Sequence, residues 1–297
     1  MTQRSKAIIE APSTLGLIGD GVEGLPDRLL AQGLAERIDA LRRLRVPTLL
    51  KTGIVDPATG VLNAPELANW SPRLADAVGM VVDAGEFPVI LGGDCTIVLG
   101  SMLALRRRGR YGLFFIDGNA DYFQPEAEEN GEGASMDLAF VTGSGPELLT
   151  DLEGLKPIVR PEDAIAFGFR DHDDQREYGS QPLPPELEGF DLQRVRHLGA
   201  EYAAQLAIEQ LTRADLDGFF IHLDADVIDD ALMPAVDFRV AGGLAPAELV
   251  TILNIALVSA KCVGIEVTIY NPALDRDGGA GRLLTDILAT ALQTGRI

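Results

Sequence analysis

The chain has 297 residues, with 25 Lys and Arg against 45 Asp and Glu, a formal charge of −20 and an isoelectric point near 4.4. Binding to duplex nucleic acid or to an anionic membrane surface needs a basic face that neutralises phosphates, so this balance points away from both and toward a protein that handles cations. A hydrophobic fraction of 46% supports a sizeable core, while no run of about 18 apolar residues offers a transmembrane helix.

Residues 1–16 lack the apolar stretch of a secretory signal, and two cysteines make no disulfide framework, so a cytoplasmic setting is expected. Short apolar runs at residues 7–9, 46–50, 87–91, 112–116, 164–169, 218–223 and 263–269 predict buried strands of a mostly parallel sheet. Helical spacing between them predicts helices over 26–44, 72–84, 95–107, 200–211 and 246–260. Strand and helix alternate with no linker or internal repeat, which predicts one α/β domain over residues 1–297, built as three α/β/α layers. Two long loops, 124–136 and 171–188, are expected to carry function, because ligands of such sheets lie beyond the carboxyl ends of the strands. A basic run, Arg106 to Arg108 and Arg110, reads as a solvated face or a contact between subunits.

Carboxylates gather where those strands end. Asp94 follows 87–91, Asp117 and Asp121 follow 112–116, and Asp224 and Asp226 follow 218–223. Parallel strands would bring all five to one edge, where like charges so close call for a compensating cation. Oxygen-rich ligation suits Mn²⁺, Mg²⁺ or Ca²⁺; helix capping or pairing with arginine is the plainer alternative for any one of them. Cys95 stands at an expected helix start and reads as a metal ligand, an inert thiol or a nucleophile. His222 shares a strand face with Asp224 and Asp226 and either lends them an imidazole or is a core histidine. His172, at the mouth, acts on substrate or is simply solvated, and His197 and Cys262 read as structural.

Six segments then carry a resemblance in the same order. They are Ile9-Glu10-Ala11-Pro12 with Gly21-Val22-Glu23, Leu91-Gly92-Gly93-Asp94-Cys95, Asp117-Gly118-Asn119-Ala120-Asp121, Gly168-Phe169-Arg170-Asp171-His172-Asp173, His222-Leu223-Asp224-Ala225-Asp226-Val227-Ile228-Asp229, and Gly242-Gly243-Leu244 with Asn271-Pro272. The sequence resembles the ureohydrolase superfamily of arginases, agmatinases and formiminoglutamases over most of its length. The resemblance implies a parallel sheet of about eight strands, a two-Mn²⁺ site that activates water against a guanidinium carbon, a small-molecule substrate, and trimers or hexamers.

Carried over position by position, the implied metal ligands are Cys95, Asp117, Asn119, Asp121, Asp224 and Asp226. Two of these depart from the family, which has histidine where this chain has Cys95 and Asn119. A thiolate favours Zn²⁺ or Fe²⁺ over Mn²⁺, and a carboxamide is a weak ligand, so one tight ion near Cys95 and a weak or missing second one are expected. Asp94, Asp121 and His222 form the implied catalytic set. Phe123, Asn130, Ala134, His172, Asp173 and Ile269 form the implied substrate-facing set. Within it, Ala134 stands where the family has a proton-shuttling histidine and Ile269 where it has the glutamate that pairs with the guanidinium. The expected function is therefore hydrolysis of a non-peptide C–N bond of amidine, ureido or amide type, not arginine cleavage. The alternatives are a catalytically inactive homologue with a binding or assembly role, and a metal-free enzyme using Cys95.

Overall fold

A computed structural model describes residues 4–294. Eight strands form one sheet: β1 (Lys6–Glu10), β2 (Ala40–Arg45), β3 (Phe87–Leu91), β4 (Tyr111–Ile116), β5 (Ala164–Phe167), β6 (Glu188–Phe190), β7 (Gly218–Asp224) and β8 (Cys262–Thr268). Their order is β2-β1-β3-β8-β7-β4-β5-β6, and every neighbouring pair is parallel. The central strands are mostly apolar because both of their faces are covered: β3 and β7 are buried at every residue, and the polar exceptions, such as His222 and Asp224 of β7, belong to the acidic cluster. Alternation across the pleat divides the interior in two. Phe114 and Ile116 of β4 pack into one apolar layer, Leu113 and Phe115 into the other.

The first crossover differs from the sequence-based expectation. The helix predicted over 26–44 stops at Arg37, after a break at Gly33 in the left-handed region (φ 82°), and residues 40–45 form β2. Residues 46–50, predicted as a strand, have no regular structure. Pro47 lacks the N–H that a ladder needs. An edge strand buries only one face, so β2 tolerates three arginines, two of which grip Glu10 of β1. The helix predicted from 72 begins at Ala64 and runs through Pro72 to Asp83. Helix Ala200–Leu211 falls where the spacing placed it, whereas β6 and the long helix Gly279–Thr294 were not anticipated. The expected loop 171–188 holds a short helix, His172–Tyr178, and yields Glu188 to β6. Three of the four arginines of the basic run are ion-paired: Arg107 with Asp76 and Glu153, Arg108 with Asp83 and Arg110 with the buried Asp163.

Because all strands run the same way, the carboxyl ends of β3, β4, β7 and β8 lie together at mid-sheet. That edge carries the acidic residues.

Candidate functional site

Each strand end is shaped by a local turn. After β3, a Cβ on Gly93 would lie 1.8 Å from the carbonyl oxygen of Ser13, so only glycine lets the chain pass there. Asp94 then accepts a hydrogen bond from the Thr96 N–H (2.9 Å) and starts the turn Cys95–Ile97, which leads into helix Val98–Arg106. After β4, Asp117 accepts from the Asn119 N–H (2.7 Å), and Asp121 takes a left-handed conformation (φ 45°). At the end of β7, Asp224 accepts from the Asp226 N–H (2.7 Å). Beyond β8, Ile269 is also left-handed (φ 67°), an unusual state for a β-branched residue, and its N–H donates to the Gly93 carbonyl (2.8 Å).

These turns bring Cys95, Asp117, His222 and Asp224 together, with one ligand-type atom of each within 4.8 Å of the others; Cys95, Asp121 and Asp137 meet within the same limit. The Cys95 thiol donates to Asp224 Oδ2 (2.7 Å) and lies 3.2 Å from Thr268 Oγ1. His222 stacks on Phe115 with ring centroids 4.4 Å apart. Its Nδ1 lies 2.7 Å from Glu266 Oε1, and Ser101 donates to the other Glu266 oxygen (2.5 Å). His222 Nε2 lies 3.7 Å from Asp117 Oδ2, beyond hydrogen-bonding distance. Among the described residues, both of these atoms are buried without a hydrogen-bond partner, as are Asp94 Oδ2 and both carboxylate oxygens of Asp137.

The electrostatics follow from that crowding. Burial, reinforced by neighbouring negative charge, pushes the carboxyls of Asp117, Asp121, Asp137 and Asp224 well above the usual carboxylate range. Burial and Asp224 likewise push the Cys95 thiol up. Burial opposes a charge on His222, but the hydrogen bond and charge of Glu266 outweigh it and raise its pKa. Asp226 is different. Its Oδ1 accepts from the Gly118 N–H (2.9 Å) and its Oδ2 from the Asn119 side-chain amide (2.6 Å). Burial raises it too, against the nearby Arg170 guanidinium.

Above this cluster lies a cavity of about 300 Å³. Cys95, Asn119, Asp121, Asp224 and Asp226 face it from below, and Phe123, Asn130, Ala134 and Ile269 line its walls. Asp94, Asp117 and His222 sit beneath the floor, almost fully buried. His172 and Asp173 do not line the cavity: His172 lies 3.0 Å from Asp191 and edge-on to Phe169, and Asp173 is 91% exposed and paired with Arg176. Sequence reasoning passed over Asp137, Glu266, Asp171, Asp174 and Asp237. A lone acid in the apolar stretch Met136–Val141 was the available signal for Asp137. For Glu266 the signal is strand alternation: three residues before Ile269, it faces the opposite side of β8 and pairs in register with His222 on β7. The lining includes no Lys, Arg or His among the described residues.

Comparisons with known proteins agree on one relationship. The model of the arginase family matches residues 7–293. An arginase from Staphylococcus aureus strain COL is 26% identical over 292 residues, 95% of each chain. The solved arginase from Bacillus caldovelox superimposes with a TM-score of 0.85 at 25% identity over 98% of each chain. Proclavaminate amidino hydrolase from Streptomyces clavuligerus shares the fold, with a TM-score of 0.72 at 17% identity, over 100% of this chain and 93% of that one.

Proposed function

This chain belongs to the arginase family of hydrolases that act on C–N bonds, and from that premise we propose that it is a metal-dependent hydrolase of a small amidine, ureido or amide compound other than arginine. The observation that carries the reading is the set of buried, unpartnered carboxylate oxygens beneath an open cavity. Burying such charges without partners is costly, and a divalent cation supplies what the protein itself does not. The donor set fits such an ion: Cys95, Asp117 and Asp224 would hold it, with Asp121, Asn119 and Asp226 nearby. When bound, it would supply Lewis-acid polarisation and make water nucleophilic near neutral pH.

The protein's own groups account for the rest. Asp121 reaches both the cluster and the cavity, so it can hold a proton taken from water and return it to a leaving amine. Asp94 positions the Cys95 turn through its cap. Phe123, Tyr178 and Phe238 offer aromatic faces, while Asp171, Asp174 and Asp237 add negative charge, a combination suited to a cationic or neutral substrate. No basic side chain in the lining stands ready for a carboxylate. Ile269 offers nothing to a guanidinium, and Ala134 cannot move a proton. Arginine and agmatine are therefore expected to be turned over with kcat/KM below about 10⁴ M⁻¹ s⁻¹. A single domain over residues 1–297, a cytoplasmic setting and a trimer or hexamer belong to the same proposal.

The test is elemental analysis of the purified protein, followed by assay of metal-loaded protein for ammonia, urea or amine release from amidines, ureides and amides. Retained metal and metal-dependent release that Asp224→Ala abolishes would support the reading. Protein that neither retains nor binds a divalent ion would overturn it.

A further inference from the structure

We propose that Cys95, Asp117, His222 and Asp224 form a single four-ligand site for Zn²⁺, in which His222 Nε2 provides the imidazole that positions 95 and 119 no longer offer. This rests on the reading of the chain as a divalent-metal protein and specifies which side chains take the ion; to activate water, the ion would have to admit it as a fifth ligand from the cavity that Cys95 and Asp224 line. The four ligand-type atoms converge within 4.8 Å, from the turn after β3, the end of β4 and two positions of β7. His222 is fully buried, and its Nε2 has no hydrogen-bond partner. The atom it approaches, Asp117 Oδ2 at 3.7 Å, has none either. Two ligand atoms that face each other without bonding leave a gap for a third body. Their separation matches the edge of a tetrahedron with metal–ligand bonds of about 2.0–2.3 Å, roughly 3.3–3.8 Å.

The surroundings of His222 support the same role. A ligating imidazole ordinarily has its other nitrogen bonded to a carboxylate, which fixes ring orientation and basicity. Here Glu266 holds Nδ1 at 2.7 Å and is itself held by Ser101, while Phe115 stacks on the ring. Thr268 lies against the Cys95 sulfur, where a hydroxyl can stabilise a thiolate. On binding, the thiol gives up to solvent the proton it now shares with Asp224, and the ion takes its place. Asp137, with both oxygens unpartnered, meets Cys95 and Asp121 on the adjoining side, so the thiol stands where the unpartnered donors converge. A thiolate and an imidazole among four ligands select Zn²⁺ over Mn²⁺.

Metal-free full-length protein is titrated with Zn²⁺, Mn²⁺ and Co²⁺ against a chromophoric chelator, and the absorption of the Co²⁺ form is recorded. The expected result is one tight Zn²⁺, preferred to Mn²⁺ by at least ~100-fold. The Co²⁺ form should show intense tetrahedral bands and a thiolate charge-transfer band that Cys95→Ser removes. His222→Gln should weaken Zn²⁺ by at least ~100-fold, and Glu266→Gln by about 10–100-fold as a positioning residue. A Co²⁺ spectrum without the charge-transfer band overturns the proposal, and this reading needs no variant to fold. So does Zn²⁺ binding by folded His222→Gln within about threefold of the parent. If ions still bind but depend on Asp121 and Asp226 instead, the hydrolase reading survives and this site does not; if no divalent ion binds, both fail.

Discussion

Asp224 and Asp226 stand two residues apart on the same turn, and their surroundings could hardly differ more. Both oxygens of Asp226 are met by the protein, one by the Gly118 N–H and one by the Asn119 amide. Asp224 spends one oxygen on the Asp226 N–H and offers the other only to a thiol, with the unpartnered His222 Nε2 and Asp117 Oδ2 close by. The outer half of the cluster is thus closed by hydrogen bonds, and the inner half is left open to a cation. Counting carboxylates would have made the two halves equivalent; the kind of donor on each, and the unpartnered His222 and Asp117 atoms beside Asp224, separate them. A carboxylate held by two N–H donors has little to gain from an ion, whereas one held by a thiol that can surrender its proton, beside an unpartnered Asp117 oxygen, has more.

The largest effect is expected where the inner half loses a charge. Asp224→Asn keeps an oxygen to cap the turn but should lower Zn²⁺ affinity by ~100-fold or more. The same change relieves repulsion among buried carboxyls, so the metal-free melting temperature should rise by about 2–4 °C if roughly 1 kcal/mol is recovered. Zinc titration and thermal melts of one variant read both signs, and a metal-free protein that melts lower would break the comparison. Next comes the outer half. Asn119→His removes the amide donor from Asp226 and adds an imidazole, so Mn²⁺ stoichiometry should move from one toward two, with the new ion at least about tenfold tighter than in the parent. Equilibrium dialysis with metal analysis checks it; unchanged stoichiometry would mean that Asn119 does not close that half.

A smaller effect is expected at Thr268. Thr268→Val keeps the shape and loses the hydroxyl beside Cys95, so Zn²⁺ affinity should fall by about tenfold while Mn²⁺ binding to the outer half of Asn119→His is unaffected. Competition titrations on the single and double variants separate the two halves directly. The smallest effect belongs to Asp173, which lies outside the cavity. Asp173→Ala should change any turnover or metal affinity by less than about twofold, because an exposed ion pair contributes little. A larger change in steady-state kinetics would bring the 171–178 segment into the site.

Much of this was legible in the chain. Continuous apolar runs marked β1, β3, β4, β7 and β8, and because those strands are parallel, the acids that follow them had to share one edge. The edge strands were harder to see. β2 alternates half-buried and exposed residues and is rich in arginine, and β6 is three residues long, so neither shows the apolar run of a covered strand. His222, Cys95 and the four aspartates that the resemblance marks as ligands could be named from motif and strand phase. What His222 does could not, because that depends on the β7–β8 register that sets Glu266 beside it, on Ser101 from the helix that follows β3, and on the short helix Asp137–Val141 that delivers Asp137.

The amino-acid order by itself determined the kind of fold, the edge of the sheet where the acids collect, and the chemical types of the donors. Only the tertiary structure decided which of those donors are already satisfied. Strand periodicity is a local property, fixed by the pleat, and can be read residue by residue. Whether a buried carboxylate is paired depends on donors that other segments contribute — Gly118 and Asn119 for Asp226, none for the facing oxygen of Asp117 — and those meet only when the chain has folded.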